Sequence, residues 1–342
     1  MKFGVFGGAV AKRGDATADS QGYKGMLDMA LEAEDLGFHS IFLVEHHFSG
    51  SGQISASLNL LTYIAALTKN MRLGTAVTVL PWHNPVLIAE QAATLDLLSG
   101  GRLDFGVGKG YRDVEFDAFC VPKEEALPRY EESVDLIVKS WVSEERFSHE
   151  GRFWNFKDIV VEPPCIQKPH PPLWTAAGTD ESITRVAGTG FNLLLDHFGS
   201  PQRTKERLDV WRTACKQVDR PFNPMEVALA RGMTITTSDA EYEAAVEQRL
   251  KRVSSMFKSY GALPGLEKKD GPVQPETYAD ANLAMEDAAI IGSPEQVAAR
   301  VRQFRDMGFE YMLILFPDDI ETLRIFAREI MPEFQESPAA VR

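Results

Sequence analysis

A (β/α)8 barrel carrying two insertions is the fold that the sequence predicts, and three observations predict it. One unit recurs along the chain: a helix end, a glycine, a phenylalanine and a short apolar run. Such runs alternate with amphipathic segments, and no linker divides the 342 residues. The recurring unit reads Glu34-Asp-Leu-Gly-Phe-His-Ser-Ile-Phe-Leu-Val44, then Ala187-Gly-Thr-Gly-Phe-Asn-Leu-Leu-Leu195, then Arg305-Asp-Met-Gly-Phe-Glu-Tyr-Met-Leu-Ile-Leu315. In each, Gly37, Gly190 or Gly308 suits the left-handed position that closes a helix. The apolar residues that follow do not alternate with polar ones, as expected of strands buried on both faces. A barrel of about 250 residues plus insertions accounts for the length, so residues 1–342 read as a single domain. A doubly wound open sheet is the alternative.

The elements follow in order. Residues 2–6 read as a strand: the apolar start ends at Lys12-Arg13 and no basic region precedes it, unlike a signal peptide. Tyr23, Met26, Leu27, Ala30 and Leu31 form a stripe at helical spacing. Strands are predicted at Phe3–Phe6, Ile41–Val44, Leu73–Val79 and Leu103–Val107. Residues 146–162 alternate around Gly151 and predict an antiparallel hairpin. Further strands are predicted at Leu173–Ala177, Asn192–Leu195, Val227–Ile235 and Tyr311–Phe316. Residues 259–284, with Pro264, Pro272 and Pro275, are long and polar for a connector and read as a lid-like insertion. Ser293-Pro294-Glu295-Gln296 is a capping box, and Val297, Val301 and Phe304 give the helix behind it a buried face.

Composition removes several classes of function. With 44% hydrophobic residues the chain buries a sizeable core, which excludes disorder. Lys+Arg 36 against Asp+Glu 49 leaves a net charge of −13, which repels phosphate backbones, so nucleic-acid binding is not expected. No run reaches the roughly 18–20 apolar residues of a membrane helix. Three scattered cysteines, Cys120, Cys165 and Cys215, fit a reducing cytoplasm.

In such a barrel, ligands meet residues just past the C-terminal ends of strands. Those positions hold Glu45-His46-His47-Phe48, Trp82-His83-Asn84, Gly106-Val-Gly-Lys-Gly-Tyr111, Ala177-Gly-Thr-Asp-Glu-Ser182 and Asp196-His197-Phe198. Four histidines at strand ends raise the question of a metal. Vicinal His46 and His47 point apart on an extended backbone, so they do not share one ion, and no metal is expected. Lys109 between glycines is open to a phosphate. The Ala177-Gly178-Thr179 turn with Ser182 opens a helix and offers N–H groups and hydroxyls to an anion, or serves as a plain N-cap. Flavin mononucleotide (FMN) fits a phosphate on an otherwise apolar ligand, as do many phosphosugars. Trp82, Phe48, Phe198 and Tyr111 supply an apolar wall, by packing or by substrate contact. His197 lies among these substrate-side candidates. Arg231 serves either an anionic substrate or an internal salt bridge.

These segments carry a resemblance. Gly37-Phe with Leu43-Val-Glu-His-His-Phe48, Leu73-Gly-Thr-Ala-Val-Thr-Val-Leu-Pro81, Leu98-Ser-Gly-Gly-Arg-Leu-Asp-Phe-Gly-Val-Gly-Lys-Gly-Tyr111, Glu115-Phe116 and Gly292-Ser-Pro-Glu-Gln296 stand in one order over almost the whole chain. The sequence resembles the bacterial-luciferase-like, flavin-dependent monooxygenases. The resemblance implies a cytoplasmic, commonly homodimeric barrel that receives FMNH2 from a separate NAD(P)H-dependent reductase. It also implies reaction with O2 to a flavin hydroperoxide, which oxygenates a small organic substrate. His46 matches the family histidine beside the reactive face of the flavin, a task suited to a group titrating near neutrality. Ala76 and Val77 match the segment along the isoalloxazine, where a non-prolyl cis bond is often seen. Lys109 stands where the family places a phosphate-binding arginine, with Thr179 and Ser182 as its partners. Gly108 replaces the reactive cysteine of true luciferase α subunits, and lysine in place of arginine loses the bidentate fork. Two other readings stay open: a deazaflavin (F420)-dependent oxidoreductase on the same barrel, and a flavin-binding protein without catalysis.

Overall fold

Apolar runs become strands where the sequence places them. The computed structural model describes residues 1–9, 21–48, 54–260, 288–316 and 320–335. The strands are β1 (Lys2–Gly7), β2 (Ser40–Leu43), β3 (Arg72–Thr75), β4 (Thr78–Val79), β5 (Leu103–Gly108), β6 (Phe147–Glu150), β7 (Asn155–Ile159), β8 (Leu173–Ala176), β9 (Asn192–Leu195), β10 (Val227–Ile235), β11 (Ile290–Gly292) and β12 (Tyr311–Leu315). Helices run between them as α1 (Gln21–Asp35), α2 (Ser57–Leu67), α3 (Pro85–Leu98), α4 (Asp113–Ala118), α5 (Ala126–Val142), α6 (Asp180–Ala187), α7 (Pro201–Gln217), α8 (Asp239–Tyr260) and α9 (Pro294–Met307).

The strand order is β10-β12-β1-β2-β3-β5-β8-β9, and β9 pairs back with β10. With β3 and β4 as one interrupted stave, this is the parallel eight-stave ladder of a (β/α)8 barrel. β11, which the sequence reading missed, pairs in parallel with the far end of β10, Met233 opposite Ile290. Its three residues are too few for periodicity to register. The 146–162 insertion is the antiparallel pair β6–β7. Of the 259–284 insertion, residues 259–260 end α8 and residues 261–284 lie outside the described residues. Among the described residues no helix is long and apolar enough to cross a membrane.

The chain forms two compact units, the first made of Met1–Gly7, Asp28–Ile41 and Ala177–Arg342 and the second of Gly8–Leu27 and Phe42–Ala176. In the first, Phe3, Phe38 and Phe316 all pack around Phe326. Helix α9 opens with the expected box: Ser293 Oγ accepts from the Gln296 amide, and Gln296 Oε1 accepts from the Ser293 amide at 2.8 Å. The three glycines of the recurring unit hold φ of +84°, +78° and +104°, which costs a side-chain-bearing residue about 1–2 kcal/mol. In the second unit, Leu103, Phe105 and Val107 of β5 are buried, each worth about 1.5–3 kcal/mol over exposure.

One stave departs from expectation. Leu73–Val79 is two pieces, because the chain leaves the ladder at Ala76 and Val77, whose peptide bond is cis. Thr75 Oγ1 spans the gap, donating to the Gly106 carbonyl at 2.7 Å and accepting the Gly106 amide at 2.9 Å. A Cβ on Gly106 would collide with the Thr75 carbonyl, and one on Gly108 with the Val77 side chain. The Gly-x-Gly spacing thus clears room for the Ala76–Val77 excursion.

Candidate functional site

In the second unit three polar residues, Glu45, His46 and His47, follow the end of β2, and their side chains alternate in direction. Glu45 and His47 turn to one side and His46 to the other. His46 Nδ1 lies 3.2 Å from Glu115 Oε1, and the His47 backbone N–H donates to the same oxygen at 2.9 Å. Glu115 sits in the first turn of α4, directly after β5, and is 2% exposed. Arg112, 1% exposed, holds its guanidinium 3.7 Å from Glu115 and lies over the Tyr111 ring. With Nδ1–H donating to Glu115, His46 keeps the lone pair on Nε2. Burial lowers the His46 pKa; the Glu115 hydrogen bond opposes this, the Arg112 charge reinforces it, and the net shift is downward. The imidazole is therefore neutral near pH 7 and able to accept a proton.

On the other side, Glu45 is 4% exposed and one oxygen collects three donors. Its Oε1 lies 2.8 Å from His83 Nε2, 3.0 Å from His47 Nε2 and 3.2 Å from Trp82 Nε1. Burial pushes the Glu45 carboxyl up, but the hydrogen bonds and charges of His47 and His83 outweigh it, and the carboxyl stays below its ordinary value. Trp82 stacks on Phe119 with ring centroids 5.0 Å apart, and Phe119 also meets His47 and Phe48 edge-on. Trp82 is half-buried and Phe48 exposed beside Phe119.

The other candidates fall as follows. Ala76 and Val77 are half-buried, and the Ala76 amide donates to the Leu43 carbonyl at the end of β2. Tyr111 meets the His46 ring edge-on at 6.3 Å. Lys109 is exposed and has no ion pair among the described residues, so its ammonium is available to an anion. Arg129, in α5, is paired with Glu125 at 2.8 Å.

The remaining candidates belong to the first unit. Ala177 is buried and Gly178 half-buried, and Thr179 and Ser182 form a capping box at the start of α6. Thr179 is exposed and Ser182 half-buried, and within the cap Thr179 Oγ1 donates to Ser182 Oγ while Ser182 Oγ donates to the Thr179 carbonyl. His197 is half-buried, with its ring against Phe198 at 3.9 Å and Phe6 at 6.0 Å. Arg231 is fully buried; its terminal nitrogens donate to the carbonyls of Asp196, Gly199 and Ala230 and to Thr204 Oγ1. Those donors are committed to the chain itself. Burial pushes the guanidinium down to about 9, so it remains charged near pH 7.

Sequence reasoning gave no role to Glu115, Arg112, Glu45 or His83. Two signals were available: Glu115 opens the helix after a strand end, and Glu45 stands two residues from His47, on the same side of an extended backbone.

A family model described as luciferase-like monooxygenase matches residues 1–311. The oxygenase component of the flavin-dependent trigonelline monooxygenase of Acinetobacter baylyi is 26% identical over 360 aligned positions, covering 98% of this chain and 96% of its own. An F420-dependent glucose-6-phosphate dehydrogenase of Nakamurella multipartita is 26% identical, over 94% of this chain and 95% of its own. Among solved structures, the monooxygenase RslO1 of Streptomyces bottropensis superposes with a TM-score of 0.83 at 25% identity, over 98% of this chain and all of that one.

Proposed function

The chain belongs to the luciferase-like monooxygenase family and is an oxidoreductase, and on that premise we propose that it is the oxygenating component of a two-component, FMNH2-dependent monooxygenase acting as a single-domain barrel on a small organic substrate. The observation that carries this reading is the His46–Glu115 pair, with Nδ1 of the ring 3.2 Å from the carboxylate. The residues present suit FMN. The exposed Lys109 ammonium, with no ion pair among the described residues, meets a phosphate, and His46, bonded to Glu115 through Nδ1, offers a neutral Nε2. Ala177, Gly178, Thr179 and Ser182 stand at the N-terminus of α6, a place whose N–H groups suit an anion.

When bound, the reduced flavin supplies the two electrons that activate O2, so that one oxygen atom enters the substrate and the other leaves as water. The work of this chain is positional and acid–base. Glu115 fixes the tautomer and direction of His46, and His46 Nε2 holds or returns the proton that moves during oxygen transfer. Tyr111, edge-on to the His46 ring, keeps water from the region around that nitrogen. A reductase partner fits the named relatives, one of which is itself an oxygenase component. Two further features support finer parts of the reading. Tyr63 and Leu67 on α2, with Leu87, Leu97 and Leu98 on α3, expose apolar side chains on helices that pack together, as a homodimer face requires. Unbridged Cys120, Cys165 and Cys215 suit the cytoplasm.

The deazaflavin reading draws on the F420-dependent relative. It predicts hydride transfer without oxygen. Anaerobic titration of the purified chain with FMNH2 and with reduced F420, followed by admission of O2, separates the two. Preferential binding of FMNH2 and reductase-dependent oxygen uptake are expected; preference for F420 with no oxygen uptake overturns the monooxygenase reading.

A further inference from the structure

From the sequence, His46 and His47 point apart and do not share an ion, and the geometry keeps that separation. The pair that converges is His47 with His83. Both Nε2 atoms face one Glu45 oxygen, at 3.0 Å and 2.8 Å, and the three ligand atoms all lie within 4.8 Å of one another. They come from two segments, the end of β2 and the turn after β4, so the cluster clips those segments together. Glu45 is 4% exposed, while His47 and His83 keep side-chain exposures of 12% and 26%. The cluster is therefore anchored from inside and reachable from outside.

We propose that Glu45, His47 and His83 form a binding site for a divalent first-row transition ion of the zinc class. Two imidazole nitrogens and one carboxylate oxygen are the borderline donor set that such ions prefer, whereas Mg2+ and Ca2+ favour oxygen alone. In a tetrahedral site with bonds of about 2.0–2.1 Å, ligand atoms stand about 3.3 Å apart. The Glu45–imidazole separations of 2.8 and 3.0 Å open to that spacing by a few tenths of an ångström, within the reach of side-chain rotation. The ion takes the place of the two hydrogens between the carboxylate and the rings, and each neutral imidazole shifts its single hydrogen from Nε2 to Nδ1 through solvent, so that Nε2 presents its lone pair. Trp82 Nε1–H, 3.2 Å from the same carboxylate, supports the ligand from behind. Three protein ligands leave one position for water or another donor.

The test uses the full chain, dialysed against chelator and titrated with CoCl2 while the visible d–d bands are followed, then with ZnCl2 in competition. One saturable equivalent of Co2+ is expected, displaced by Zn2+ and not by Mg2+. His83→Ala and Glu45→Gln should abolish it, and Trp82→Phe should weaken it about 10–100-fold. His149→Ala removes the histidine of another carboxylate pair, with Glu132 at 3.2 Å, and should leave binding unchanged. Absence of saturable Co2+ or Zn2+ uptake by the parent overturns the proposal, as does equal competition by Mg2+. So does uptake that persists in His83→Ala. Because Glu45 is buried, folding of its variant is checked by circular dichroism; His83, more exposed, decides the matter if that variant does not fold.

Discussion

Two strand-end clusters in this chain are made of similar materials and arrive at opposite properties. In the second unit, carboxylates at the ends of β2 and β5 meet imidazoles: Glu115 with His46, Glu45 with His47 and His83. In the first, the carboxylate that follows β9 meets a guanidinium, with Asp196 2.9 Å from Arg207, while Arg231 binds the surrounding carbonyls. A guanidinium stays charged and saturates its surroundings with fixed donors. An imidazole exchanges its proton within the physiological range and exposes a lone pair. The first cluster therefore holds chain and the second is equipped for proton transfer.

Exchanging the roles of the two clusters experimentally puts that contrast at risk. The largest effect is expected from His46→Ala, which should lower oxygenation by about 10²–10⁴-fold in a reductase-coupled assay while FMN affinity is kept. Unchanged product formation would remove the chemical role of the second cluster. Arg231→Met should destabilise the chain by about 3–5 kcal/mol in urea unfolding, since a buried set of acceptors loses its cation. Activity per folded molecule should be retained; its specific loss would move Arg231 from scaffold to site.

A third carboxylate–imidazole pair sharpens the comparison. Glu132 accepts from the Phe153 and Trp154 amides of the hairpin, at 3.0 and 2.9 Å, as well as facing His149. Burial raises its pKa, but those two backbone bonds and His149 outweigh burial and bring it below the ordinary value. The lowered carboxylate stabilises the fold above its unfolded-state pKa of about 4.3, and that contribution fades as the pH falls through the lower folded value. Glu132→Leu should cost about 1–3 kcal/mol, and should speed hydrogen exchange at Phe153 and Trp154 without changing catalysis. The smallest effect is expected from Lys109→Ala, which should weaken FMN binding about tenfold by loss of one charge-assisted contact, with Lys109→Arg restoring it. Equal FMN affinity in all three proteins would detach Lys109 from the phosphate.

Much of the fold was legible because its signals are local. Strand runs and glycine-closed helices repeat over a dozen residues, and the hairpin announces itself by alternation around Gly151. The opposed directions of His46 and His47 were legible for the same reason, since an extended backbone turns successive side chains to opposite sides. The break in the third stave was not, because Ala76 and Val77 leave the ladder through packing against Gly106 and Gly108, some thirty residues on.

By itself the sequence determined the barrel, the hairpin, the family resemblance and the strand ends where chemistry belongs. Tertiary structure alone decided the pairings: Glu115 reaches His46 from 69 residues away, His83 reaches Glu45 from 38, and Arg231 turns inward to carbonyls that no spacing foretold. The physical reason is that hydrophobic periodicity is written along the chain, residue by residue. A hydrogen bond between strand ends depends on which staves the closed ladder makes neighbours and on which side chains their register brings within about 3 Å.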